Sequence, residues 1–187
     1  MKIISWNTKG LGSRKKRRVV KDFLRSEKPD VVMIQETKKA ECDRRFVGSV
    51  WTIINKEWAT LSACGASGRV LIIWDSKKLR SEEVVIGSFS VSVKFVLNGC
   101  RTLWLSVIYD PNSTALRNDF WVKLSDIFGL SFPFWCVGGD FNVIRRSSEK
   151  LGGSSLTPCM KDFDDFIREC ELIDPPLRSA PFTWSNM

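Results

Sequence analysis

The chain has 187 residues, 43% hydrophobic and 27% charged, which suits one globular domain with a sizeable core and excludes a disordered chain. Its 29 Lys and Arg against 21 Asp and Glu leave a net charge of +8, a balance that favours polyanionic partners such as nucleic acid or phospholipid headgroups. With no histidine, and with six cysteines that form no Cys-x-x-Cys pair, the usual spacing of zinc ligands is absent.

Cys42, Cys64, Cys100, Cys136, Cys159 and Cys170 are expected to be reduced, mostly buried small hydrophobes of a nuclear or cytoplasmic protein. Met1-Lys2-Ile3-Ile4 opens a strand rather than a secretory signal, and no apolar run is long enough to span a bilayer, so no membrane partner is expected. Without repeats or linkers, residues 1–187 read as one domain, expected as a monomer.

Lys2 to Trp6 reads as a buried strand. Gly10 and Gly12 break it, and Ser13 caps a helix to about Lys28 with Val19, Val20, Phe23 and Leu24 on one face. Pro29 stops that helix, and Asp30 to Gln35 forms a buried strand ending at Glu36. Strands are expected over Val50–Asn55, Val70–Trp74, Glu83–Ile86 and Ser90–Leu97. An Asn98-Gly99 hairpin turn then leads into Thr102–Ile108, ending at Tyr109. A helix from Thr114 to Phe128 carries Leu116, Phe120, Leu124 and Ile127 at helical spacing. Phe134–Val137 is the next buried strand, followed by Gly138-Gly139-Asp140. Thr157-Pro158 starts a helix that buries Met160, Phe163, Ile167 and Cys170, and Phe182-Thr183-Trp184 begins a further strand. Alternating helices and strands around a hairpin-rich middle predict two sheets covered by helices.

Four strands end in a polar residue the strand itself does not need: Asn7, Glu36, Tyr109 and Asp140, with Asn142 just beyond. Strand ends along one rim are where layered α/β folds build sites. Oxygen ligands without Cys or His suit a hard cation, Mg2+ or Mn2+, which polarises a phosphoryl oxygen during in-line attack. Singly each residue has a plainer reading: a solvated carboxylate for Glu36, turn chemistry for Asn7, a core ring for Tyr109, a cap for Asp140. Their shared position at strand ends joins them into one site.

Ser5-Trp6-Asn7, Gln35-Glu36-Thr37, Tyr109 with Pro111-Asn112, and Gly139-Asp140-Phe141-Asn142 occur in the order of the endonuclease/exonuclease/phosphatase superfamily, which the chain resembles. Over its whole length it is similar to the apurinic-type endonuclease domain of plant-type non-LTR (LINE) retrotransposons, in which a reverse transcriptase follows. The resemblance implies a four-layer α/β/β/α fold, a two-sheet β-sandwich flanked by helices, and a magnesium-dependent endonuclease nicking DNA. It implies Glu36 as principal metal ligand and Asn7 beside the metal and the scissile phosphate. Tyr109 would bond the phosphate, Asp140 orient or deprotonate the attacking water, and Asn142 bind the phosphate. A carboxylate can hold a hard cation, another can take a proton, and neutral Asn and Tyr donors can bind an anion.

The family's later motifs include a metal-site Asp or Asn and a Ser-Asp-His, and no histidine is present here. The expectation is therefore a C-terminally truncated copy with an incomplete fold, a bare sheet edge and little or no activity on its own. Asp110 stands where the family usually carries Gly after the Tyr, and Arg69 where a second glycine is common. Positive φ at either place would strain the backbone, and a carboxylate at 110 would repel substrate.

Basic residues gather in Arg14–Arg18, Lys38-Lys39, Arg44-Arg45, Lys77-Lys78 and Arg145-Arg146. Lys9, Lys38 and Arg145 are expected to contact the DNA backbone; a solvated helix face is the alternative for the first cluster. Competing readings are a phosphatase of the same superfamily acting on inositol phosphates or lipids, a non-catalytic nucleic-acid-binding remnant, and a fragment that does not fold stably.

Overall fold

The computed structural model describes residues 1–39, 41–61, 69–97, 101–110, 113–149 and 156–175. In chain order these form β1 (Ile3–Asn7), α1 (Arg14–Glu27), β2 (Val31–Gln35), α2 (Arg44–Val50), β3 (Lys56–Leu61), β4 (Val70–Asp75), β5 (Arg80–Ile86), β6 (Ser90–Leu97), β7 (Arg101–Tyr109), α3 (Thr114–Ser131), β8 (Trp135–Asp140) and α4 (Pro158–Glu169). The expected turn at Asn98-Gly99, the Pro111-Asn112 pair and the strand at Phe182–Trp184 lie outside the described residues.

Period-two burial builds the sandwich. In β2, Val31 and Met33 face the other sheet while Val32 and Ile34 face helices; in β4, Val70, Ile72 and Trp74 alternate likewise with Leu71 and Ile73. The inward set meets Val91, Val93, Phe95, Leu105 and Val107 of β6 and β7 in a core between the sheets. A second core joins α1 and α2 to the first sheet. A third joins Phe120, Leu124 and Ile127 of α3, and Phe166 and Ile167 of α4, to the second sheet. The result is the expected α/β/β/α layering.

The sheet orders are β1-β2-β4-β3 and β5-β6-β7-β8. Most neighbours are antiparallel, but β1 pairs parallel with β2, and β7 parallel with β8. A parallel pair needs a crossover, and α1 and α3 supply the two. Both pairs therefore end at a common rim: Asn7 lies opposite Gln35 and Tyr109 opposite Asp140.

Several expectations are corrected. Val50–Asn55 is not a strand. Asp43 accepts the Phe46 N–H at 2.7 Å and caps a short helix that ends at Val50, and the strand begins only at Lys56, where the chain pairs with Asp75. On α1 only Val20 and Leu24 are buried, whereas Val19 and Phe23 are exposed. Leu116 also points outward from α3. Strand β8 is half-buried, not buried, because it is an edge strand with a partner on one side among the described residues. Ser13 makes no side-chain cap bond, whereas Thr157 accepts the Met160 N–H as expected. Of the four described cysteines, all free, only Cys170 is buried, and burial pushes its thiol up to about 11. No helix among the described residues is long and apolar enough to cross a membrane.

Candidate active site

Asn7, Glu36, Tyr109, Asp140 and Asn142 meet where the two parallel pairs end. The Asn7 amide Nδ2 donates to Glu36 Oε1 at 2.9 Å and also to Asp140 Oδ2, so one neutral side chain spans two carboxylates from different sheets. The Tyr109 hydroxyl reaches Glu36 Oε1 at 3.5 Å. Asn142 N–H donates to Asp140 Oδ1 at 3.0 Å, and Asn142 Nδ2 to the Asp110 carbonyl at 2.7 Å. Burial, with the Glu36 and Asp140 charges beside it, pushes the Tyr109 hydroxyl above its ordinary value, so at neutral pH it stays a donor.

The backbone here is held in conformations that L residues rarely adopt. Lys9, Glu36, Lys38 and Asn142 all have φ between 48° and 54°, each costing on the order of 1–3 kcal/mol for a non-glycine residue. Neighbouring bonds fix them. Lys9 N–H donates to Asn7 Oδ1 at 3.0 Å, Leu11 N–H to the Thr37 carbonyl at 2.9 Å, and Thr37 N–H to the Arg69 carbonyl at 3.2 Å. The strain expected at Asp110 and Arg69 is absent, since neither has positive φ. Gly139 has φ 150°, and a Cβ there would stand 2.1 Å from the Ile108 carbonyl oxygen. Only glycine permits β8 to approach β7 this closely just before Asp140.

Asp110 does not extend into the site. It is fully buried and its Oδ2 lies 3.0 Å from Arg117 Nη2, so its charge is countered inside the fold. Burial raises its carboxyl pKa, and the Arg117 guanidinium opposes that shift. The residue 110 carboxylate is therefore buried and paired rather than presented at the rim. Arg117 escaped the sequence reading, although an Arg three residues before Phe120 falls on the buried face of a helix, where a cation needs a partner.

The expected DNA-contacting residues divide. Lys9 and Lys38 are exposed beside the site loops. Lys16 Nζ donates to the Lys9 carbonyl at 3.3 Å, so α1 begins against the same rim. Arg145 instead donates to Asp164 at 2.8 Å and Asp174 at 3.3 Å, with 14% of its side chain exposed. Its guanidinium braces the loop after β8 against α4 rather than facing outward.

Among the described residues no three Asp, Glu, Cys or His gather into a metal cluster. Glu36 and Asp140 bring hard carboxylate oxygens together around the Asn7 amide, and two negative charges so close suit a cation. Magnesium is commonly held by one or two carboxylates plus water and substrate phosphate. The residues fit such an ion. In this arrangement Asn7 turns its nitrogen, not its oxygen, toward the carboxylates.

A model of the Endonuclease/Exonuclease/phosphatase family matches residues 4–186. The fold is similar to the Xenopus laevis APE2 catalytic domain (17% identity, TM-score 0.65, 89% of this chain and 67% of that one). It is also similar to the Leishmania major AP endonuclease LMAP (14%, 0.64, 90% and 66%), and to D. rerio TDP2 complexed with single strand DNA product (16%, 0.61, 93% and 66%). The chain spans between 48% and 67% of the length of TDP2 structures it matches. No curated protein matches it in sequence.

Proposed function

This chain belongs to the endonuclease/exonuclease/phosphatase family, and from that premise we propose that it is a magnesium-dependent phosphodiesterase domain that acts on DNA. The observation that carries this is the Asn7 amide joining Glu36 and Asp140 across the two sheets, with Tyr109 and Asn142 beside them.

In this reading Glu36, with Asp140 close by, holds a divalent cation, Mg2+ or Mn2+, and Asn7 orients both carboxylates. When bound, the ion would polarise a phosphoryl oxygen. The Tyr109 hydroxyl and the second N–H of the Asn142 amide donate to the phosphate. Asp140 takes a proton from the attacking water as a water–phosphorus bond forms, and the bond from phosphorus to the leaving deoxyribose oxygen breaks. That oxygen then needs a proton. The histidine the family uses near this step has no counterpart here, and a positioned acid or base is typically worth about 10²–10⁴ in rate. We therefore propose that the 187-residue chain alone binds metal and DNA with little or no turnover. The whole-chain resemblance to the endonuclease domain of plant-type non-LTR retrotransposons supports an origin of that kind.

Three measurements on the purified chain test this: Mn2+ binding by calorimetry, binding to duplex DNA, and plasmid nicking in Mg2+. The expected result is metal and DNA binding without nicking. Glu36→Gln should weaken Mn2+ by at least about 100-fold, since even residues that only orient metal ligands cost about 10–100-fold. Robust nicking abolished by Glu36→Gln would overturn the inactivity alone. Failure of the native chain to bind either metal or DNA would sink the whole reading.

A further inference from the structure

Behind the site lies a buried charge network that no step of the proposed chemistry uses. Asp110 follows Tyr109 and is fully buried. Its N–H donates to the Asp140 carbonyl at 2.9 Å, and its own carbonyl accepts from Asn142 Nδ2 at 2.7 Å. Its backbone thus ties together the ends of two site strands and the Asn142 amide. Its carboxylate oxygens accept no aligned hydrogen bond among the described residues; what meets them is the Arg117 guanidinium, with Nη2 3.0 Å from Oδ2. Arg117 is itself 15% exposed and donates from Nη1 to Cys159 Sγ at 2.8 Å, so α3 and α4 both converge on this point.

We propose that Arg117 is a positioning residue: by pairing with the buried Asp110 carboxylate it fixes the Asp110 carbonyl, and through that carbonyl the orientation of Asn142. A buried carboxylate without its cation would draw water or move outward to reach it. Either movement carries the Asp110 backbone with it, because a single residue links the carboxylate to the carbonyl. Asn142, at φ 48°, has the Asp140 carboxylate and the Asp110 carbonyl as its two anchors, so losing one frees its amide. The inference rests on the proposed function only for why the direction of Asn142 matters; the network itself needs neither metal nor substrate.

The test uses the ¹⁵N-labelled full chain without metal or DNA. The Asn142 side-chain NH2 signals are identified by their absence in Asn142→Asp. In Arg117→Met they are expected to shift toward free-amide positions and to exchange faster with water. The core variant Ile127→Val, elsewhere on α3, should leave them in place. Asp110→Asn combined with Arg117→Met removes both charges and should return the signals toward their native positions, and it serves if Arg117→Met alone does not fold. Unmoved Asn142 signals in a cooperatively folding Arg117→Met chain would overturn the proposal. So would a folded double variant in which the signals stay displaced. Both readouts are independent of nicking, so a failed nuclease reading leaves this test intact.

Discussion

The molecule builds its site twice over, from β1-α1-β2 in one sheet and β7-α3-β8 in the other. Each unit is a parallel pair whose strands end in site residues. The two units do this differently. The first is cationic at its rim, with Lys9, Lys38, Arg14, Lys15 and Lys16 exposed, and its loops hold positive φ at Lys9, Glu36 and Lys38. In the second, two cations are turned inward and paired, Arg117 with Asp110 and Arg145 with Asp164 and Asp174, while Arg146 is exposed. Similar topology thus serves two tasks. The first unit presents charge outward, while the second uses charge inward to hold Asp140 and Asn142.

The strongest way to break this comparison is at the paired glycines of β8. Gly139→Ala forces a Cβ to within 2.1 Å of the Ile108 carbonyl oxygen at an unfavourable φ and should cost at least about 3 kcal/mol, read by urea denaturation. Gly138→Ala meets the Met33 sulfur at 3.5 Å and the Ser5 Cβ at 4.0 Å, both ordinary contacts, and should stay within about 1 kcal/mol. Equal effects would show that the β7–β8 approach does not fix the second unit.

The contrast in charge is sharpened by DNA binding across a salt series. Lys9→Gln and Lys38→Gln should each reduce the slope of log affinity against log salt by about 0.9 if each meets one phosphate. Arg145→Gln should leave the slope unchanged while lowering the melting temperature, because that side chain is committed to α4. A slope that responds to Arg145 and not to the lysines would reverse the assignment of roles.

The smallest effects concern helix starts. Thr157→Ala removes the bond to Met160 N–H and should cost about 1 kcal/mol. Ser13→Ala should cost no more than a few tenths of that scale, since Ser13 makes no cap bond. There Arg17 instead donates to the Leu11 and Gly12 carbonyls, both at 2.7 Å.

Much of this was readable in advance, and for a physical reason. Strands β2, β4 and β7 are interior strands, so β2 and β4 appear as unbroken apolar runs, and β7 as one interrupted by Ser106, whose polar ends stand out. That marked Glu36 and Tyr109, and Asp140 followed from the glycines before it. Val50–Asn55 is also rich in apolar and β-branched residues, yet its first residue closes a helix and Ile54 is exposed. Local pattern cannot distinguish a strand from an apolar helix end that must pack beneath a neighbouring layer.

By itself, the sequence determined the α/β alternation and which polar side chains terminate the strands, because both are written in local periodicity. Tertiary structure alone decided that Asn7 spans Glu36 and Asp140, residues 29 and 133 positions away, and that Arg145 turns inward. It also decided that the Asp110 carboxylate is buried against Arg117, because a buried charge is defined by the partner that packs against it. Those outcomes depend on which strand ends and helix faces come together in space.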